Sequence, residues 1–231
     1  MPAFSSRFRG VYPILDLDAL ERAQLEPLAV AGQLLTATPA ALQLRGKHAS
    51  ARRLLQLLGD LKPLCAAAGV PLFVNDRPDL ALIAGVDGVH LGQEDMTCGE
   101  LRQLVALAPG GGMGKRLRVG ISTHNQAQLG AALLERPDYV AFGPVFVTRS
   151  KLDPDPELGL DELSRAHQAC LAAGVALVAI GGVCRSNADA VSCRADVGAV
   201  IGDLLSGGLS QVAQRARDLQ QAFSRERSRS R

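Results

Sequence analysis

Short apolar runs recur along the chain, and each is followed by a longer stretch in which apolar residues return at helical spacing. The strand candidates are VYPIL (11–15), ALQLR (41–45), PLFVN (71–75), GVHLG (88–92), RLRVGI (116–121), YVAFG (139–143), ALVAIG (176–181) and GAVIG (198–202). Helical stretches are expected at about 18–31, 50–68, 78–84, 97–107, 124–135, 160–173, 186–193 and 208–223. Thr97 and Glu100 have capping-box spacing, and Gly69, Gly85 and Gly174 fall where helices should stop. Eight βα units predict a single (β/α)8 TIM barrel of the α/β class over residues 1–223, with a basic tail at 224–231 read as disordered. A doubly wound open sheet competes, but it carries a Gly-rich fingerprint after its first strand, and that is missing here.

Composition narrows the picture. Hydrophobic residues make up 47% of the chain but aromatics only 3%, so the core is expected to be built from Ala, Leu, Val and Ile. A net charge of +2 gives no reason to expect a nucleic-acid or membrane partner. No apolar run approaches the ~18 residues of a membrane span. The start MPAFSSRFRG lacks the apolar stretch of a secretory signal, which implies a cytoplasmic protein. Five cysteines without a C-x-x-C pair argue against a disulfide framework or structural zinc. Assembly is left open, a homodimer included. PGGGMGK (109–115) fails the P-loop pattern and precedes a strand, so it reads as a turn on the inert face.

Polar residues gather where the strands end, the face on which barrels of this kind carry their chemistry. In ALQLRGK, Gln43, Arg45 and Lys47 alternate with Leu42 and Leu44, so the three polar side chains share a face. Asn75-Asp76 closes strand 3, Asp95 follows strand 4, Ser122-Thr123-His124 closes strand 5, and Lys151 follows strand 6. Arg45, Lys47 and Lys151 suit phosphate oxygens, while Asp76 and Asp95 on neighbouring strands suit a shared Mg²⁺. Two plainer readings stand beside this. Arg45 could pair with Asp76 or Asp95 as structural glue, and Asp95 could serve only as a charge at a helix start. Gly181-Gly182 and Gly202, after strands 7 and 8, fit a second phosphate site. His124 fits either an acid–base role or a helix cap; His48 and His167 read as solvent-facing, and His90 as packing inside the barrel.

QLRGK, VNDRPDLAL, DGVHLGQED, GISTH, GPVFVTRSK followed by GL, and AIGGV resemble the thiamine phosphate synthase family, motif for motif and in order, from about Val11 to Phe223. That resemblance implies a transferase that joins a pyrimidine diphosphate to a thiazole phosphate and releases pyrophosphate, with Mg²⁺ as cofactor. It implies that Gln43, Arg45, Lys47 and Asn75 hold the pyrimidine diphosphate, with Ser122 and Lys151 beside them. Asp76 and Asp95 would bind Mg²⁺, and Thr148, Ser150, Gly182, Ile201 and Gly202 the thiazole phosphate. Val147, Ser150 and Gly202 depart from the family pattern, which has Pro, Thr and Ser there. A thiazole tautomerase on the same barrel would instead use His124 for proton transfer, and a non-catalytic barrel would bind a phosphorylated ligand without turnover.

Overall fold

A computed structural model describes residues 8–107, 116–147 and 156–225. Eight parallel strands close into a barrel in chain order, with β1 pairing β8. They are β1 (Gly10–Asp16), β2 (Leu42–Arg45), β3 (Leu72–Asn75), β4 (Gly88–Leu91), β5 (Arg118–Thr123), β6 (Tyr139–Phe142), β7 (Ala176–Ala179) and β8 (Val197–Val200). Around them run α1 (Leu17–Arg22), α2 (Pro27–Leu35), α3 (Ala51–Ala68), α4 (Pro78–Ala84), α5 (Cys98–Leu107), α6 (Gln126–Leu134), α7 (Gly159–Ala173), α8 (Ala188–Ser192), α9 (Gly202–Leu205) and α10 (Leu209–Arg225). Every expected strand is present, and the fold is the single (β/α)8 barrel that the pattern predicts.

Local chemistry explains most of the boundaries. Gly69, Gly85 and Gly174 end α3, α4 and α7 in the left-handed conformation, at φ of 67°, 61° and 68°. Before α5 the capping box is formed: Glu100 accepts from the Thr97 amide at 2.8 Å and Thr97 Oγ1 accepts from the Glu100 amide at 3.2 Å. The stretch expected as one helix from 18 to 31 is two. Gln24 sits at φ 56°, and Pro27 cannot donate and holds Glu26 extended, so α2 starts afresh and runs on to Leu35. The four-residue α9 was not expected, and α10 continues two residues past the predicted end. The 109–115 stretch and residues 226–231 lie outside the described residues.

Side chains alternate between two cores. Val11, Leu15, Leu42, Leu44 and Val74 point outward into the aliphatic layer under the helices. Tyr12, Phe73, Tyr139, Ala141, Val178 and Ala199 point into the barrel. The aliphatic expectation therefore describes most of the outer layer, where Phe142 and Phe223 are the buried aromatics; Phe8, Tyr12, Phe73 and Tyr139 meet in the lumen. Phe8, just ahead of β1, packs on Tyr12, Phe73 and Tyr139 with ring centroids 5.8, 6.5 and 5.1 Å apart. Gly88 and Gly120 make room for these rings, since a Cβ would come within 2.3 Å of Phe73 and 2.0 Å of Tyr139. The N-terminal end of the barrel is thus filled with rings, and the polar residues occupy the other end.

Candidate active site

A cavity of about 840 Å³ opens at the C-terminal ends of the strands. Gln43, Arg45, Lys47, Asn75, Asp76, Asp95, Ser122, Gly182, Ile201 and Gly202 all line it. Thr148, Ser150 and Lys151 lie outside the described residues.

Strand register sets the first contact. Asp16 ends β1 directly opposite Arg45 on β2, and Arg45 Nη1 donates to Asp16 Oδ2. The carboxylate is nearly buried and the guanidinium is 14% exposed, so this pair is sheltered from water. Asp16 Oδ1 also accepts from the Ala19 amide at 2.8 Å and caps α1. Arg45 is therefore anchored, but by Asp16 rather than by Asp76 or Asp95. A guanidinium has five donors, and the Asp16 contact leaves others for the cavity that Arg45 lines.

Asp76 and Asp95 form a carboxylate pair. Burial, then the charge of Asp95 and a hydrogen bond with it, push the Asp76 pKa up to about 6, against the opposing pull of Lys47 and Arg45. Asp76 is held at φ 58°, a conformation that costs energy for a residue with a Cβ, while its amide donates to the His90 carbonyl at 2.8 Å. Asp95 Oδ2 accepts from the Gly92 amide at 2.7 Å, inside the loop ahead of α5. Among the described residues no cluster of three or more His, Cys, Asp or Glu is grouped as a metal site. The donors present are two hard carboxylates, which suits Mg²⁺ completed by water and substrate oxygens.

Beneath this pair a polar chain crosses the lumen. Gln43 Nε2 donates to Tyr12 Oη at 3.0 Å, Tyr12 and Tyr139 hydroxyls meet at 3.1 Å, Tyr139 Oη meets His90 Nδ1 at 2.9 Å, and His90 Nε2 meets Ser122 Oγ at 2.8 Å. Burial lowers the His90 pKa to about 4 and raises both phenols, so all three groups are neutral at neutral pH. His90 lies inside the barrel as expected, but it also touches a site serine. Asp16, Tyr12 and Tyr139 are missing from the sequence-based site. The signal for them was strand parity: Asp16 and Arg45 are register partners, and Tyr12 and Tyr139 share the inward parity of the polar residues.

The β7–β8 side is made of backbone. Gly181 and Gly182 have φ of 82° and 69°; a Cβ would approach Pro144 within 2.4 Å and Phe146 within 2.7 Å. Asn187 Nδ2 donates to the Gly182 carbonyl at 3.0 Å and steadies the turn. Gly202 opens α9, and Arg185 and Arg215 bond Asp203 at 3.0 and 3.3 Å. Asn125, not His124, caps α6, accepting from the Gln128 amide at 2.9 Å. His124 Nδ1 meets the Gly143 carbonyl at 2.7 Å on the cavity wall. His48 is exposed and pairs with Asp18 at 2.9 Å. His167, expected to face solvent, is half-buried, with Nε2 4.0 Å from Asp196, because its position on α7 turns it toward the β7–β8 end.

Known proteins agree with this geometry. A family model described as thiamine monophosphate synthase matches residues 11–204. A thiamine-phosphate synthase of Koribacter versatilis is 39% identical over 198 residues, covering 84% of this chain and 88% of that protein. One from Chloroflexus aurantiacus is 36% identical over 204 residues, covering 88% and 85%. Among solved structures, a thiamine phosphate pyrophosphorylase from Pyrococcus furiosus superposes with a TM-score of 0.79 at 25% identity, covering 95% of this chain and 97% of that one. Fold, cavity and these likenesses converge: the chain belongs to the thiamine monophosphate synthase family and is a transferase.

Proposed function

We propose that the chain joins 4-amino-2-methyl-5-hydroxymethylpyrimidine diphosphate to a thiazole phosphate, giving thiamine phosphate and pyrophosphate, with Mg²⁺ as cofactor. The observation that carries this reading is one cavity in which the Asp76–Asp95 carboxylate pair stands beside Arg45 and Lys47. The unfavourable contacts are the like-charged ones, carboxylate beside carboxylate and cation beside cation, and a metal-bound diphosphate would relieve both, the metal at the carboxylates and the anion at the cations.

The residues then divide the work. Arg45 and Lys47 hold the diphosphate oxygens and take up the negative charge that grows as the bond from the methylene carbon to oxygen breaks. Asp76 and Asp95 would hold Mg²⁺, which when bound would supply Lewis-acid stabilisation of the same charge. Gln43, Asn75 and Ser122 orient the pyrimidine, whose amino group feeds electron density to the carbon left positive. The thiazole nitrogen donates its lone pair to that carbon and closes the new carbon–nitrogen bond. Gly182, Ile201 and Gly202 hold the thiazole phosphate through backbone N–H groups, with Thr148 and Ser150 assigned to it, and Lys151 to the diphosphate side, by resemblance. No proton leaves the attacking nitrogen, so His124 has no required acid–base role.

Among the described residues no helix is long and apolar enough to cross a membrane. The five cysteines, all among the described residues, form no disulfide, which supports a reducing compartment such as the cytoplasm. Purified protein incubated with both substrates, with and without Mg²⁺, should release pyrophosphate and thiamine phosphate in equal amounts, and only with the metal. Tight binding of both substrates without pyrophosphate release would overturn the reading.

A further inference from the structure

The chain of hydrogen bonds under the cavity has a property that none of its members has alone. It runs from Gln43 on β2 through Tyr12 on β1, across the lumen to Tyr139 on β6, then to His90 on β4 and Ser122 on β5. Tyr139 is fully buried, Tyr12 is 1% exposed and Gln43 2%, so water does not offer these three groups substitute partners. Gln43, Ser122 and the His90 beside it also line the cavity, whereas Tyr12 and Tyr139 do not.

Each internal member has one proton to give and one lone pair to fill its next contact. A phenol donates once, and a neutral imidazole has one donor nitrogen and one acceptor nitrogen. Two protons in one contact, or none, would leave a buried polar group unsatisfied, at a cost larger than the hydrogen bond is worth. The chain therefore has two self-consistent senses. In the first, Gln43 Nε2 donates to Tyr12, Tyr12 to Tyr139, Tyr139 to His90 Nδ1, and His90 Nε2 to Ser122. Gln43 Oε1 is then left as an acceptor for the cavity, and the Ser122 hydroxyl as a donor. In the second sense the amide is turned over and every arrow reverses, so Gln43 offers N–H and Ser122 offers a lone pair. The ends always present opposite polarity, and the structure has Gln43 Nε2 toward Tyr12, which is the first sense.

We propose that Tyr12, Tyr139 and His90 are positioning residues that couple the polarity of Gln43 to that of Ser122, so that the site selects an aminopyrimidine over its oxo counterpart. A 4-aminopyrimidine brings an amino donor and ring-nitrogen acceptors, matching the first sense. A 4-oxopyrimidine brings a carbonyl acceptor and a ring N–H donor, and requires the whole chain to invert. The inference rests on the synthase reading for the choice of substrate, and its failure is separable from the failure of that reading.

The test measures calorimetric affinities of the full chain, with Mg²⁺ and without thiazole phosphate, for the 4-amino pyrimidine diphosphate and its 4-oxo analogue. Wild type should favour the amino compound by roughly 100-fold, the scale of losing two matched hydrogen bonds. Tyr139→Phe keeps the ring and removes the link, so the ends are free to choose separately, and the preference should shrink to about tenfold or less. Tyr12→Phe breaks the chain one step earlier and should do the same, which keeps the test open if Tyr139→Phe does not fold. In both variants the KM for thiazole phosphate should stay within about twofold, since none of the linked hydrogen bonds reaches Gly181, Gly182 or Gly202. Phe8→Leu disturbs the same ring cluster without touching a hydrogen bond, and should lower Tm while leaving the preference intact. If both tyrosine variants lower Tm but keep the full amino-over-oxo preference, the tyrosines serve packing alone and the proposal is wrong. If wild type itself binds neither pyrimidine and forms no thiamine phosphate, the synthase reading falls first, and the proposal with it.

Discussion

The two halves of the cavity are made of different material. On the β2–β5 side the functional groups are side chains, and each is held by another side chain: Arg45 by Asp16, Gln43 by Tyr12, Ser122 by His90, Asp76 by its contact with Asp95. On the β7–β8 side the wall is backbone, shaped by Gly181 against Pro144 and Gly182 against Phe146, with Gly202 open beside them. The first half concentrates charge, and a substitution there changes electrostatics. The second concentrates space and N–H direction, and a substitution there changes fit. The kinetics of variants should divide the same way, into losses of turnover on one side and losses of affinity for one substrate on the other.

The largest effect is expected at Asp76. Asp76→Asn should cut Mg²⁺-dependent turnover by roughly 10²–10³-fold, the scale of removing one group that stabilises developing charge. Undiminished turnover would remove Asp76 from the metal site. The same variant sharpens the electrostatic picture without any activity measurement. The folded-state pKa is raised from 3.8 to about 6, so the folded chain holds the proton more tightly than the unfolded chain. The resulting stabilisation is complete below the unfolded value and is lost as pH rises through about 6. Above that point the metal-free wild type carries a half-buried anion beside Asp95. Asp76→Asn should therefore raise the Tm of metal-free protein at mildly alkaline pH, by roughly 2–4 °C, and the gain should vanish in acid. An equal gain at both pH values would mean that the carboxylate charge is not its source.

A smaller, differently shaped loss is expected at Gly181. Its φ is 82°, and a Cβ would lie 2.4 Å from Pro144 Cβ, so Gly181→Ala must displace either the turn or the Pro144 segment. The KM for thiazole phosphate should rise about tenfold while that for the pyrimidine diphosphate moves by about twofold or less. Steady-state kinetics with each substrate varied in turn would show this. Equal rises in both would break the division between the halves.

This division also explains what could be read from the sequence. The strand pattern survived because eight short apolar runs, each followed by a helix-length segment, fit a closed (β/α)8 barrel, and polar residues at their exits mark the face that carries chemistry. Side-chain groups such as Arg45, Asp76 and Ser122 announce themselves by type. Their supports do not. Asp16 looks like an ordinary helix cap until the β1–β2 register sets it opposite Arg45. Tyr12 and Tyr139 look like core residues until the barrel closes and brings their hydroxyls together across the lumen. The break in the first helix was written in Pro27, but no residue type marks Gln24 for its positive φ, where the turn closes with the Leu25 amide donating to the Leu20 carbonyl at 3.0 Å.

Gly202 tests the backbone half from the opposite direction. The family resemblance implies serine there, and glycine has an N–H to offer a ligand but no hydroxyl. Unlike Gly181, Gly202 lies outside the left-handed region, and a Cβ built on it meets no atom within 4 Å. Gly202→Ser should therefore be accepted without strain and place a hydroxyl beside the first N–H groups of α9. The KM for thiazole phosphate should fall by about two- to threefold, the worth of one modest added hydrogen bond, with Tm and the pyrimidine KM unchanged. Varying thiazole phosphate at saturating pyrimidine diphosphate measures it directly. A rise in KM would mean that the open space at Gly202 is filled by the ligand itself. Two glycines on one wall would then resist side chains for different reasons, Gly181 for its own backbone and Gly202 for the substrate.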